Sequence, residues 1–189
     1  MEKSLIIAGL FTLCSAILAI PSSSSQTPKD VQKWAQTLTH KEEKITKLHF
    51  YFHRLGNKTG VPVVSQANIT RPSPTDFGSL FIKDDPLTLG PELSSTQVGY
   101  AQGMSATVSI RNAAIVESFT FVFTDGAHNG STVAVLGINF LLHEYREMAV
   151  VGGSGVFRLA RGVVSYRTVF YNISTGDASV EVNLVASHF

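Results

Sequence analysis

The chain has 189 residues, with 15 basic and 14 acidic side chains and a formal net charge of +1. Balanced charge without a basic run excludes the concentrated cationic face that nucleic-acid phosphates demand. The length suits one domain with a sizeable core, and 44% hydrophobic residues with 12 Phe make it globular and apolar.

A short charged start, MEKS, precedes the apolar run Leu5–Ile20 and then PSSSS. This is the layout of a secretory signal peptide over residues 1–22, with cleavage somewhere in Ala19–Ser25. The run falls short of the roughly 20 apolar residues of a bilayer span, so no membrane attachment is expected after cleavage. Cys14, the one cysteine, leaves with the leader, and the mature chain has no disulfide and no thiol nucleophile. Secretion gives meaning to four N-x-S/T acceptors at Asn57, Asn68, Asn129 and Asn172.

Residues 23–46 are polar and mixed and are read as a flexible arm, with a short helix near Val31–Leu38. From Lys47 to Phe189 the pattern alternates with period two between Gly, Pro, Asn and Asp clusters, as in an all-β domain. Strands are expected near 47–54, 61–69, 78–84, 98–110, 115–125, 131–142, 147–170 in two arms, and 178–188. In the first, Leu48, Phe50, Phe52 and Arg54 share one face; His49, Tyr51, His53 and Leu55 share the other, so His53 has outward parity and a structural role. In a later one Phe119, Phe121, Phe123 and Asp125 align. Asp-Gly and Asn-Gly within TDGAHNGS mark a hairpin. The expected fold is an eight-stranded antiparallel β-barrel, closed so that no edge is exposed and wide enough to hold one small ligand in a central cavity.

Several chemistries lack their residues. His49 and His53 stand about 13 Å apart along a strand and cannot share an ion, so no metal site is expected. GGSG at 152–155 lacks the Lys-Ser/Thr and helix of a phosphate loop, and it lacks G-x-S-x-G spacing. What remains is a cavity with a few polar groups among aromatics, the general form of a small-molecule site. The polar candidates are Arg54, Asp84, Ser105, Thr107, Asp125, Asn139 and Arg146, with Phe50, Phe52 and Phe121 as apolar lining. Plainer roles are open to several of them: Arg146 as a surface pair with Glu144 or Glu147, Asp125 as a turn residue, Asn139 as a strand-end cap.

The ordered stretches LHFYFH (48–53), DDPLTLGPE (84–92), VGYAQG (98–103), FTFVFTDGAHNGSTVAVLG (119–137), REMAVVGGSGVFRLARG (146–162) and TGDASVEV (175–182) resemble the plant dirigent proteins across Lys47–Phe189. The REM, ARG and TGDA segments look more like the branch containing pterocarpan synthases than the pinoresinol-directing branch. The resemblance implies a secreted, glycosylated, apoplastic barrel that assembles as a homo-oligomer, trimer favoured and dimer possible. It implies no cofactor and no oxidising centre. A separate laccase or peroxidase would supply phenoxy radicals of monolignols such as coniferyl alcohol, and the protein would make their coupling regio- and stereoselective, as in lignan biosynthesis. The alternatives it leaves open are closure of an isoflavanol through a quinone methide, and a non-catalytic, lignin-organising protein of the cell wall.

Carried over by position, Arg146 matches the family's cavity arginine. Asn139 stands where directing members carry a catalytic aspartate, and Ser105 and Thr107 stand where they often have tyrosines. Arg54 departs most, because the family motif usually reads Tyr-Phe-His-Asp. Two inward arginines would require an anionic ligand or a nearby acid, with Asp84 or Asp85 at hand.

Overall fold

The computed structural model describes residues 27–65 and 74–189. The expected signal peptide over residues 1–22 and the acceptor Asn68 lie outside those residues. The described residues fall into two units, one ending at Gln36 and one spanning Thr37–Phe189.

Helix α1 spans Pro28–Thr37. Thr27 and Asp30 start it reciprocally: Asp30 N–H donates to Thr27 Oγ1 at 3.3 Å, and Thr27 N–H donates to Asp30 Oδ2 at 3.0 Å. Pro28 occupies the first turn, where its missing N–H costs nothing.

Nine strands follow: β1 Lys44–Arg54, β2 Gly60–Val64, β3 Leu80–Thr88, β4 Gln97–Thr107, β5 Ala114–Phe123, β6 Thr132–Phe140, β7 Tyr145–Ser154, β8 Arg161–Tyr171 and β9 Ala178–His188. β1 begins inside the segment read as an arm. The sheet order is β1-β9-β8-β7-β6-β5-β4-β3-β2, and an extra pairing of β1 with β3 closes it. Every pairing is antiparallel. Eight strands therefore form the closed barrel, and the five-residue β2 lies outside the ring beside the start of β3. The ring makes β3 and β7 opposite walls, with β5 midway between them along one side.

β3 runs four residues beyond its expected end at Asp84, straight through Pro86. Its neighbour changes there: β2 pairs as far as Lys83, and β1 takes over at Leu87. A proline is tolerated in that gap.

The seam between β1 and β3 has only two paired positions, Tyr51 with Thr88 and Phe52 with Leu87. His53 reinforces it. Its ring nitrogens meet Ser179 Oγ on β9 at 2.9 Å and Thr88 Oγ1 on β3 at 2.6 Å. His53 thus has outward parity yet is 2% exposed, and burial lowers its pKa below 6.5.

Inward residues of successive strands form an aromatic core. Phe50 packs edge-on to Phe121 at 5.1 Å, and Phe52 edge-on to Tyr166 at 5.9 Å. Phe123 and Phe157 continue this core toward the Lys44 end of β1. Gly103 sits in register between Lys83 and Phe119. A Cβ there would collide with the Ser118 carbonyl, and without one Lys83 reaches to 5.3 Å from the centre of the Phe119 ring.

Candidate functional site

Polar side chains on the inner face gather in the half of the barrel where β1 ends. Lys83 and Asp85 come from β3, Ser105 and Thr107 from β4, Glu117 from β5, Asn139 from β6, Arg146 from β7 and Tyr166 from β8; all are buried. Each falls on the parity of its strand's core residues, so the period of two places it inward.

Three groups satisfy one another. Lys83 Nζ donates to Glu117 Oε1 at 3.3 Å, and Asn139 Nδ2 donates to Glu117 Oε2 at 2.8 Å. Both carboxylate oxygens are therefore engaged. On the β3 wall, Thr59 Oγ1 donates to Asp85 Oδ1 at 2.5 Å and itself accepts from Leu55 N–H at 2.9 Å. Burial pushes the Asp85 carboxyl up to about 6, against the pull of Thr59, Lys83 and Arg54.

Other atoms in this half have no protein partner although they are buried: Asp85 Oδ2, Asn139 Oδ1, Tyr166 Oη, Arg54 Nε, and Arg146 Nε and Nη2. Buried polar atoms without partners are uncommon in folded proteins, and each requires an explanation. Tyr166 is directly opposite Arg146 in the β7–β8 register. Its burial holds the phenol well above its ordinary pKa, so it stays a donor. Burial also lowers the Arg146 pKa, with Glu117 and Tyr166 acting against that effect.

The sequence-derived candidates divide accordingly. Arg146, Asn139, Ser105 and Thr107 are all buried on the inner face, and Phe50, Phe52 and Phe121 belong to the core cluster of the same barrel. Arg146 makes no ion pair with Glu144 or Glu147. Asp84 is a correction: it is exposed on the outer face and accepts from Gln102 Nε2 at 3.1 Å. The inward acid is its neighbour Asp85. Asp125 is exposed in the β5–β6 turn. Arg54 is half-buried at the end of β1, 6.0 Å from the Phe81 ring centre and within electrostatic reach of Asp85. Sequence reading missed Lys83, Glu117 and Tyr166, although Glu117 shares the parity of Phe119.

Two pockets occur among the described residues. One of about 650 Å³ is at the Lys44 end, against His40, His128 and His188. The other, about 410 Å³, lies against His53, Arg54, Glu92 and Ser179. Neither is lined by Asp85, Glu117, Asn139 or Arg146. No group of three or more His, Cys, Asp or Glu side chains with metal-binding geometry occurs among the described residues.

A family model for dirigent-like proteins matches residues 45–187. The chain belongs to the dirigent family. Dirigent protein 21 of Arabidopsis thaliana is 43% identical over 151 residues, covering 79% of this chain and 80% of that protein. Pterocarpan synthase 1 of Glycine max is 41% identical over 155 residues, covering 80% and 83%. The solved structure of a pterocarpan synthase dirigent protein superposes with a TM-score of 0.72 at 40% identity, covering 79% of this chain and 87% of that one. The interior of this dirigent barrel has an asymmetry of its own. The protonatable acid Asp85 stands on the β3 wall, and the arginine–tyrosine pair stands on the β7–β8 wall across from it.

Proposed function

We propose that the protein exerts dirigent-type stereocontrol over the coupling of phenoxy radicals formed from a phenylpropanoid phenol by a separate laccase or peroxidase. One observation carries this reading: partnerless buried polar atoms stand on facing walls of an interior otherwise built of aromatic and aliphatic side chains and the Lys83–Glu117–Asn139 cluster. A phenylpropanoid has the matching form, with a phenolic oxygen at one end, an oxygenated side chain at the other and a flat apolar body between. Asp85, whose carboxyl titrates near pH 6, hydrogen-bonds the phenoxy oxygen in its protonated form, and Arg146 and Tyr166 fix the far end.

Each radical has already lost one electron and one proton to the external oxidant. Two radicals then pair their electrons in one carbon–carbon bond. Selectivity comes from which face each held radical offers, which is an effect of orientation. Oxidation of coniferyl alcohol and other monolignols by a one-electron oxidant, with and without the protein, tests the proposal by chiral chromatography. An enantiomeric excess that appears only with the protein is expected; racemic products from the whole panel would overturn it.

A second reading is favoured by Asp85 itself. A carboxyl with a pKa of about 6 can protonate a leaving hydroxyl. Water departs, the phenolic proton is lost and one proton restores the Asp85 carboxyl, and the quinone methide is closed by a neighbouring hydroxyl whose proton returns to the phenolic oxygen. The net change is loss of one water. Turnover of an isoflavanol without any oxidant is the expected result of this reading, and absence of turnover would remove it.

Secretion, N-glycosylation and self-association belong to the same proposal. Asn57 and Asn129 are exposed and able to carry glycans. The outer face carries an exposed apolar row, Leu136, Ala149, Val163 and Val185, in register across β6 to β9, of a kind that marks protein contacts. Intact mass before and after glycan removal, and light scattering on the secreted protein, test these points; an unglycosylated monomer would contradict them.

A further inference from the structure

Arg146 is a permanent cation, 7% exposed, on the inner wall of β7. Its Nε and Nη2 are fully buried and have no hydrogen-bond partner. These two nitrogens make up the side-on edge of a guanidinium, whose parallel N–H groups match the two oxygens of a carboxylate. A single phenolic or alcohol oxygen can meet both only in a converging geometry and without the opposite charge.

The protein supplies no carboxylate for that edge. No ion pair to Arg146 occurs among the described residues. Glu117, the nearby acid, has one oxygen on Lys83 and the other on Asn139. Arg146 thus has an acid nearby that acts on it through space but no carboxylate oxygen in contact with it. A buried charge is tolerated when an opposite charge meets it. Tyr166, across the β7–β8 register, adds a third donor, its hydroxyl also without a partner.

We propose that the substrate is a phenolic carboxylic acid, its carboxylate held side-on by Arg146 Nε and Nη2 with the Tyr166 hydroxyl as a further donor, and that this ion pair selects phenolic acids over the corresponding alcohols. The inference rests on the placement of a phenylpropanoid between the β3 and β7 walls. The phenol at the Asp85 end and the carboxylate at the Arg146 end are the two termini of a hydroxycinnamate. Arg54, at the barrel end near Asp85, adds a positive charge where such an anion enters.

Isothermal titration calorimetry of the full chain as secreted, at pH 7.5, compares ferulate, methyl ferulate and coniferyl alcohol. The three share one ring and differ at the side-chain end. Ferulate is expected to bind on the order of 10- to 100-fold more tightly than the other two, the worth of charge-assisted hydrogen bonds to a buried cation. Arg146→Gln removes the preference while methyl ferulate still binds. Arg146→Lys keeps the charge but not the fork and retains only part of the preference. The Lys variant also serves if the Gln variant fails to fold, as judged by circular dichroism.

Equal affinity for acid, ester and alcohol overturns the inference, as does a preference that survives in both variants, or no binding of any of the three. The readout is independent of turnover. Stereoselective coupling of coniferyl alcohol with no preference for ferulate would defeat the carboxylate assignment and leave the coupling reading standing. Selective ferulate binding through Arg146 with racemic products throughout would do the reverse.

Discussion

Lys83 Nζ lies 3.3 Å from Glu117 Oε1, and the two side chains are 5% and 3% exposed inside the barrel. Removing one partner from such a pair leaves a buried charge uncompensated, at a cost of roughly 3–5 kcal/mol, whereas replacing both is often close to neutral. Lys83→Met and Glu117→Gln should each be destabilised by about that amount. The double variant should recover most of the loss, because a glutamine oxygen still accepts from Asn139. Chemical denaturation of the four proteins gives the coupling; strictly additive losses would contradict it.

Asp85 makes the barrel sensitive to pH in a defined direction. Its carboxyl rises from 3.8 to about 6 on folding, mainly through burial. The native state therefore binds more protons than the unfolded chain between those values, and stability falls as pH rises through that window. Asp85→Asn removes the dependence. At pH 7.5 it should be more stable than the parent by up to about 3 kcal/mol, with the gap closing toward pH 4. Parallel stability-versus-pH curves for the two proteins would argue against a buried, proton-binding Asp85.

His53 has the opposite sign. Burial lowers its pKa below 6.5, so its contribution is complete above 6.5 and is lost as pH falls below that value. His53→Ala leaves the Thr88 and Ser179 hydroxyls on the β1–β3 and β1–β9 seams without their ring partner. It should cost roughly 2–3 kcal/mol at pH 7.5 and less at pH 5. A loss independent of pH would mean that the imidazole only fills space.

The barrel was legible in the sequence because alternation places Phe50, Phe52 and Phe121 on inner faces without knowledge of any partner strand; Arg146, one residue before the expected strand, was a candidate for the interior only through the family resemblance. The acids were harder. Asp84 and Asp85 have opposite parity, and Pro86 reads as the end of a strand. Only the change of neighbour from β2 to β1 shows that β3 continues and that Asp85 is the inward residue. Glu117 interrupts an apolar face, and a lone carboxylate there argues against burial. Lys83, 34 residues away in the chain, makes its burial tolerable, and local pattern carries no record of that pairing. Outward parity for His53 was right, yet contact with Thr88 and Ser179 buries it all the same.

Arg54 occupies the strand-end position where the family motif usually has an acid, and its charge helps hold down the pKa of Asp85. Arg54→Asp exchanges an attractive neighbour for a repulsive one. The Asp85 pKa should then rise above about 6, read from the carboxyl carbon shift in an NMR titration. An unchanged midpoint would show that the two side chains do not sense each other.

The central claim is that the facing walls, Asp85 on one and Arg146 on the other, hold a phenolic reactant and set its handedness. Its most direct measurement is the enantiomeric excess of products coupled from a phenylpropanoid phenol by a one-electron oxidant, for the parent beside Asp85→Asn and Arg146→Gln. The account predicts an excess with the parent, lost or sharply reduced in each variant while circular dichroism shows the barrel intact. Racemic product with the parent, or an excess undiminished in both variants, would contradict it.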